Sequence, residues 1–425
     1  MENGDVAERI KGFGLNILYF GQIVNLIDNL SNIGYIVKDM INRDITAKLL
    51  HLLKKYPVIA LTGQRQSGKT FLIRNLLSKK PYVSLEDPDK LDFALNDPRG
   101  FLSLYPKGAI LDEIQRAPKI FSYLQGIVDE QNKSGMFILT GSQNFLLLEN
   151  ITQTLAGRVG ILKLLPFNLS ELKGSQILPK SLEEILYTGM YPRIYDKKIN
   201  PKDFYPNYIQ TYLEREVRQI KNISDLNTFQ RFIRMCAART GQLLNLSSLA
   251  IDCGITHNTA KSWISILEAS YIVHLLYPHY KNFNKRLVKT PKLYFFDTGL
   301  VCSLVGINKK EEVLNHSQRG NLFETFIISE LIKKRFNQGH ISNLYFWRDK
   351  TGHEIDCIVE SGAQLIPIEI KSGKTVAGDF FSGINYLKKI SNIKGNSYLI
   401  YGGDFDQKRK DIYIKSWKDI NQIIV

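Results

Sequence analysis

The run Val58-Ile59-Ala60-Leu61-Thr62-Gly63-Gln64-Arg65-Gln66-Ser67-Gly68-Lys69-Thr70 decides how the chain is read. Val58 to Leu61 is a short apolar stretch between Pro57 and a glycine-containing loop, which predicts a buried parallel strand. Gly63 to Thr70 fits G-x-x-x-x-G-K-[ST] in full, and a helix is expected from Lys69 to about Ser78. Strand, loop and helix form the context this motif requires. The glycines let the backbone wrap close to a phosphate, and the N–H groups at the helix start face the anion. Lys69 is expected to neutralise the β- and γ-phosphates of ATP, and the Thr70 hydroxyl to ligate Mg²⁺. Gly63, Gln64, Arg65, Gln66, Ser67, Gly68, Lys69 and Thr70 are therefore the candidate cofactor-binding segment. A chance Gly-Lys-Thr turn is the alternative, and its flanks argue against it.

Downstream, apolar runs at Tyr82 to Leu85, Ala109 to Leu111 and Phe137 to Leu139 read as further strands, with helices between them. That alternation predicts an α/β domain with a mainly parallel sheet. Asp112 and Glu113 end the second of these runs. Asp112 is expected to hold Mg²⁺ through water, and Glu113 to polarise the attacking water. Carboxylates at a strand end are common, but here a phosphate loop precedes them. After the third run, Ser142 or Asn144 is placed to meet the γ-phosphate or the water, or else serves ordinary turn chemistry. Arg158 reads either as an arginine finger towards a neighbouring subunit or as a salt-bridged surface arginine.

From about Pro201 to Pro278 the pattern turns helical. Ser247 to Asp252, Gly254, then Thr256 to Ala269 reads as helix, turn, helix, with Thr256 a good N-cap. Ala260, Trp263, Ile264 and Leu267 form an apolar stripe at helical spacing. This resembles a winged-helix module, whose second helix would offer His257, Asn258, Lys261 and Ser262 to DNA. Lys281, Lys285, Arg286, Lys289 and Lys292, interleaved with Phe283, suit phosphate contact. The alternative is a helix pair used only for packing or subunit contact.

Nearer the C-terminus, Glu324 sits on a helical pattern, Asp356 ends an alternating stretch, and Glu369-Ile370-Lys371 follows. The order resembles the D…E-x-K signature of restriction-endonuclease-like folds. Residues two apart on a strand share a face, so Glu369 and Lys371 are expected in one site. Asp356 and Glu369 would bind Mg²⁺, Lys371 would position or activate water, and Glu324 would complete the set. Such folds also serve as binding modules without cutting.

The composition is that of a globular protein: 425 residues, 44% hydrophobic and 23% charged. That length calls for about two to four domains. A net charge of +15 favours a polyanionic partner, nucleic acid first. Cys236, Cys253, Cys302 and Cys357 form no C-x-x-C pair, and the seven histidines form no cluster, which argues against a zinc site. Polar residues interrupt Leu15 to Val37 too often for a membrane span, and no cleavage site follows, so a cytoplasmic protein is expected.

Several stretches together resemble bacterial and archaeal AAA+ family ATPases that carry a characteristic C-terminal region of unknown function. They are Leu61 to Thr70, Leu111-Asp112-Glu113-Ile114-Gln115-Arg116-Ala117-Pro118, Leu139-Thr140-Gly141-Ser142, Lys289 to Phe295 and Asp297-Thr298-Gly299-Leu300, and the similarity runs from about Asn42 to Thr375. Met190 departs from it, standing where such proteins usually have a second glycine. The expected architecture is an N-terminal extension (1–40), a P-loop AAA-type ATPase domain (41–200), a helical and winged-helix region (201–291) and an α/β restriction-endonuclease-like domain (292–425). The resemblance implies ATP and Mg²⁺ as cofactors. DNA is the expected partner, a homo-oligomer is open, and a non-cutting ATP switch that binds a protein is the rival function.

Overall fold

Five successive residues of strand β1 (Val58–Thr62) are buried because the strand is covered on both faces. A computed structural model describes residues 41–423 apart from 142–143, 214–224, 280–287, 363, 392 and 394. The expected extension 1–40, Ser142, the basic residues Lys281, Lys285 and Arg286 with Phe283, and the side chain of Asn144 all lie outside what is described.

Strands β2 (Tyr82–Ser84), β3 (Ile110–Asp112), β4 (Phe137–Thr140) and β5 (Val159–Lys163) complete a five-stranded sheet in the order β2-β3-β4-β1-β5, every pair parallel. Helices α1 (Thr46–Leu53) and α2 (Lys69–Leu76) cover one face, where Leu49, Ile59, Leu61, Leu72 and Ile138 pack together. On the other face Val58, Ala60, Leu111 and Leu139 meet α3 (Ile120–Gln131) and α4 (Asn144–Thr154). The loop after β1 emerges between β4 and β5 at the carboxyl end of the sheet, where open α/β sheets bind ligands.

The middle of the chain runs α5 (Leu226–Ala237), β6 (Gln242–Leu243), α6 (Leu246–Cys253), α7 (His257–Ala269), β7 (Val273–Leu276) and β8 (Lys292–Phe295). Thr256 caps α7 by accepting from Thr259 N–H at 3.1 Å. Ala260, Trp263, Ile264 and Leu267 are buried, and the Trp263 ring stands edge-on to Phe229 and Phe232 at 5.1 Å. The three strands pair antiparallel in the order β6-β8-β7. The domain boundary expected at 291/292 therefore misplaces β8: its hydrogen bonds go to β6 and β7, so it completes the middle module.

After α8 (Thr298–Leu304), the last module opens with the long helix α9 (Arg319–Asn337). Strands β9 (Leu344–Arg348), β10 (Glu354–Ser361) and β11 (Gln364–Lys371) are antiparallel neighbours. Helix α10 (Ser382–Ser391) then leads to β12 (Ser397–Tyr401), which is parallel to β11. β13 (Gln407–Arg409) and β14 (Ile412–Ser416) finish a six-stranded sheet in the order β13-β14-β12-β11-β10-β9. The β9 edge is covered by the segment that follows β7: Phe346 N–H donates to Tyr277 O, His279 N–H to Phe346 O and Val288 N–H to Arg348 O. Helix α9 also grips the first domain. Lys333 Nζ donates to Phe167 O at 2.9 Å, and Glu330 accepts from Leu169 N–H at 2.6 Å.

Candidate nucleotide site

Gly63 has φ 136°, and a Cβ there would stand 1.9 Å from Leu164 O, so only glycine lets the loop turn so close to the chain beyond β5. Gly68, at φ 92°, forms the N-cap of α2 with no side-chain cap, so the positive end of that helix faces the loop. Lys69 is buried, with Nζ donating to Gly63 O at 2.9 Å and Gln64 O at 3.0 Å. The Gln64 amide, Gln66 Oε1 and the Ser67 hydroxyl are buried with no hydrogen-bond partner. Of these, the Gln64 Nε2 and Ser67 Oγ donors fit a bound phosphate chain, because leaving them unpaired costs stability.

The acidic strand end faces this loop. Thr70 Oγ1 donates to Asp112 Oδ2 at 3.0 Å, so the two expected Mg²⁺ ligands already share one point. Tyr82 Oη donates to the same oxygen at 2.7 Å, and Thr140 Oγ1 donates to Oδ1. Burial, followed by the hydrogen bond to Asp112, raises the Tyr82 hydroxyl well above its ordinary pKa and keeps it a donor. A carboxylate and a hydroxyl side by side are hard oxygen donors suited to Mg²⁺. Glu113 stands at φ 55°, a left-handed conformation that turns its carboxyl away from the strand line, where Gln115 Nε2 donates to it.

Arg43 supports the loop from behind. Its guanidinium donates to Ser67 O at 2.7 Å and Leu165 O at 2.6 Å, pairs with buried Glu171 at 3.1 Å, and lies 5.0 Å from the Phe167 ring centre. Sequence reasoning missed Arg43, Tyr82, Thr140 and Gln115. Only Gln115 and Thr140 had a signal, since both lie within the quoted motif stretches. Arg158 sits at the opposite end of the sheet, before β5, and forms a two-pronged bond to Asp129. A role for it in catalysis would therefore have to be on another molecule.

A second cluster joins the last two modules. Lys371 Nζ lies 2.8 Å from Glu369 Oε2 and 3.2 Å from Asp356 Oδ2, so the three residues expected together are together. Glu324 is close by but pairs with Lys292 of β8 at 2.9 Å and accepts from Tyr294 Oη. Lys292 also pairs with Glu354, which Arg348 meets at 3.1 Å. Burial, with the Asp356 charge beside it, pushes the Glu369 carboxyl up to about 9. Burial opposes the Asp356 charge too, yet Lys371 and Lys292 hold that carboxyl below its usual range. Lys371 neutralises Asp356 and Glu369 here, while Lys292 and Arg348 neutralise Glu324 and Glu354, so a divalent cation at this cluster would compete with those groups. Among the described residues no group of three or more His, Cys, Asp or Glu is set to hold a metal ion.

Comparison with known proteins bears on the first cluster. A family model described as an AAA domain matches residues 55–173, which span the phosphate loop and β1 to β5. Models described as domains of unknown function match residues 179–311 and 319–420. An uncharacterised protein of Mycobacterium tuberculosis is 29% identical over 336 residues, covering 78% of this chain and 74% of that protein. One from Methanocaldococcus jannaschii is 23% identical over 353 residues, covering 75% of each. Among solved structures, a Walker-type ATPase of Pyrococcus abyssi aligns with a TM-score of 0.43 and 15% identity, over 63% of this chain and 97% of its own. The AMPPCP-bound DnaA of Aquifex aeolicus aligns with a TM-score of 0.29 and 17% identity, over 53% and 85%. The segment around the phosphate loop, residues 55–173, is similar to an AAA domain. No helix among the described residues is long and apolar enough to cross a membrane.

Proposed function

We propose that this protein hydrolyses ATP with Mg²⁺ and uses the cycle to act on DNA, which it grips through a winged helix in its middle module. The observation that carries the reading is the phosphate loop with its orphaned polar atoms, set against the Thr70–Asp112 pair. Bound Mg²⁺ would supply charge neutralisation between the phosphates. The Thr70 hydroxyl and the Asp112 carboxylate would hold it, with Tyr82 and Thr140 fixing Asp112 in place. Lys69, released from its two carbonyl partners, would cover the outer phosphates. Glu113 would take the proton from the attacking water, oriented by Gln115.

The DNA half of the reading is supported by the order helix, strand, helix, helix, strand, strand, and by exposed His257, Asn258 and Lys261 on α7, with Ser262 half-buried beside them. The C-terminal strand order and the Asp356–Glu369–Lys371 grouping support a nuclease-like fold. The cations that already neutralise its carboxylates favour a non-cutting role.

DNA affinity measured against salt, with ATP and with ADP, tests the reading. Affinity that falls steeply with salt and differs between the nucleotides is expected, and Lys261→Ala should reduce the slope by about one. No DNA affinity, with ATPase activity intact, would hand the function to the protein-binding switch. Incubation with duplex, single-stranded or branched DNA and Mn²⁺ should give no cutting. Cutting that Lys371→Ala abolishes would restore the nuclease.

A further inference from the structure

Residues 164–169, which leave β5, are held from two sides. On one side lies the phosphate loop. Leu164 N–H donates to Thr62 O at 2.9 Å, and Leu164 O stands 1.9 Å from where a Cβ on Gly63 would fall. The Arg43 guanidinium spans both chains, donating to Leu165 O at 2.6 Å and to Ser67 O at 2.7 Å. On the other side lies α9 of the last module. Lys333 Nζ donates to Phe167 O at 2.9 Å, and Leu169 N–H donates to Glu330 Oε2 at 2.6 Å.

Glu330 and Lys333 also pair with each other at 2.9 Å, with side chains only 2% and 1% exposed. A buried ion pair is a weak source of stability, because taking two charges out of water offsets most of their attraction. Apolar side chains would serve packing as well. What the pair adds is position: each charge directs its remaining hydrogen bond at the backbone of this one segment. The segment in turn holds Arg43. Glu171 pairs with Arg43 Nε at 3.1 Å while accepting from Asn168 N–H at 3.0 Å, and the Phe167 ring centre lies 5.0 Å from the guanidinium. The path from Lys333 to Ser67 O thus runs through the short backbone between Phe167 and Leu165 and then through Arg43.

We propose that Glu330 and Lys333 are positioning residues of the nucleotide site, supplied by the last module, and that residues 165–171 couple that module to the state of the phosphate loop. This rests on the reading of the loop as an ATP site, but not on the DNA or nuclease readings. With the pair in place the segment is fixed, and Arg43 holds Ser67 O where the loop can wrap the phosphates. Coupling between sites is reciprocal, so bound nucleotide tightens the grip of α9 on the same segment.

Calorimetric titration of the full chain with a non-hydrolysable ATP analogue and Mg²⁺ tests this, beside steady-state ATPase kinetics. Glu330→Gln with Lys333→Met keeps the volume and leaves no lone buried charge. It should weaken binding by about fivefold or more and raise KM to match, with kcat within about twofold, because the loop's shape serves ground and transition state alike. In an Arg43→Lys background the same double change should weaken binding by less than about twofold, since the route is already cut. Equal losses in both backgrounds, or wild-type affinity in the doubly changed protein, overturn the proposal. Where that protein does not fold, hydrogen–deuterium exchange on the wild type decides. Nucleotide should slow residues 326–333 of α9 by about threefold more than residues 382–391 of α10. Equal slowing overturns the proposal. A wild type that binds no nucleotide overturns it together with the ATPase reading.

Discussion

Lys292 Nζ stands 2.9 Å from Glu324 Oε1, although the lysine belongs to the sheet of the middle module and the glutamate to the first helix of the next. Lys292 is 4% exposed, with Glu354 as a second partner and the Phe346 ring centre 5.7 Å away. An ammonium so deep is stable only while both carboxylates remain. Lys292→Met should therefore destabilise the protein by about 3–5 kcal/mol, since it leaves Glu324 without its cation and Glu354 with Arg348 alone. Lys292→Met combined with Glu324→Gln should cost less than the sum of the two single changes. Denaturant melts of the four proteins check this, and additive losses would show that the pair is not coupled.

Arg43 offers a prediction about ATP affinity. Its guanidinium fixes Ser67 O and Leu165 O while pairing with Glu171, whose carboxyl burial pushes above its ordinary pKa despite Arg43. Arg43→Lys keeps the charge but loses the fork geometry. ATP binding should weaken by about tenfold or more, and the change should not be rescued by Mg²⁺ concentration. Calorimetric titration with unchanged affinity would mean that the loop holds its shape without this brace.

Glu113 and Tyr82 should separate binding from turnover. Glu113→Gln keeps shape and hydrogen bonding but cannot accept a proton. Turnover should fall by about 10²-fold or more with ATP still bound. Tyr82→Phe removes one of the three donors on Asp112 and should lower kcat by a few-fold, with little change in KM. Steady-state ATPase kinetics check both, and a loss confined to KM would move these residues from chemistry to binding.

His274 gives a pH dependence. Burial, followed by the nearby Lys163 charge, lowers its imidazole to about 4. The unfolded chain takes up the proton near 6.5, while the folded chain resists until about 4. The contribution of the neutral ring is therefore whole above pH 6.5 and is lost as pH falls towards 4. Relative to wild type, His274→Phe should gain stability across that window, on the order of 1–3 kcal/mol. Thermal melts at pH 7.5, 6, 5 and 4 read the difference, and parallel curves would exclude His274 as their source.

The first domain was legible in the sequence because its signals are local. A buried parallel strand reads as Val58-Ile59-Ala60-Leu61, and the loop motif fixes the turn, the cation and the metal hydroxyl within eight positions. Lys371 on Glu369 was legible for the same reason, since strand periodicity alone places them on one face. Arg43, Tyr82 and Lys292 were not visible in these roles. Their partners lie 24 and 122, 30, and 32 and 62 residues away, distances that only the folded chain closes. The boundary at 291/292 failed because β8 pairs backwards, across the turn, with strands already formed.

The segment recognisable by family similarity at the C-terminal end begins at residue 319, yet its sheet does not finish there. The outer strand of that sheet takes its missing hydrogen-bond partners from residues 277–279 and 288. Excised from the chain, the segment would expose a bare ladder of amides and carbonyls and would tend to recruit another strand. A piece moved without the stretch before it would carry that open edge with it. Heredity and folding therefore draw their borders at different residues here, and a fragment chosen by the first would be expected to precipitate by the second.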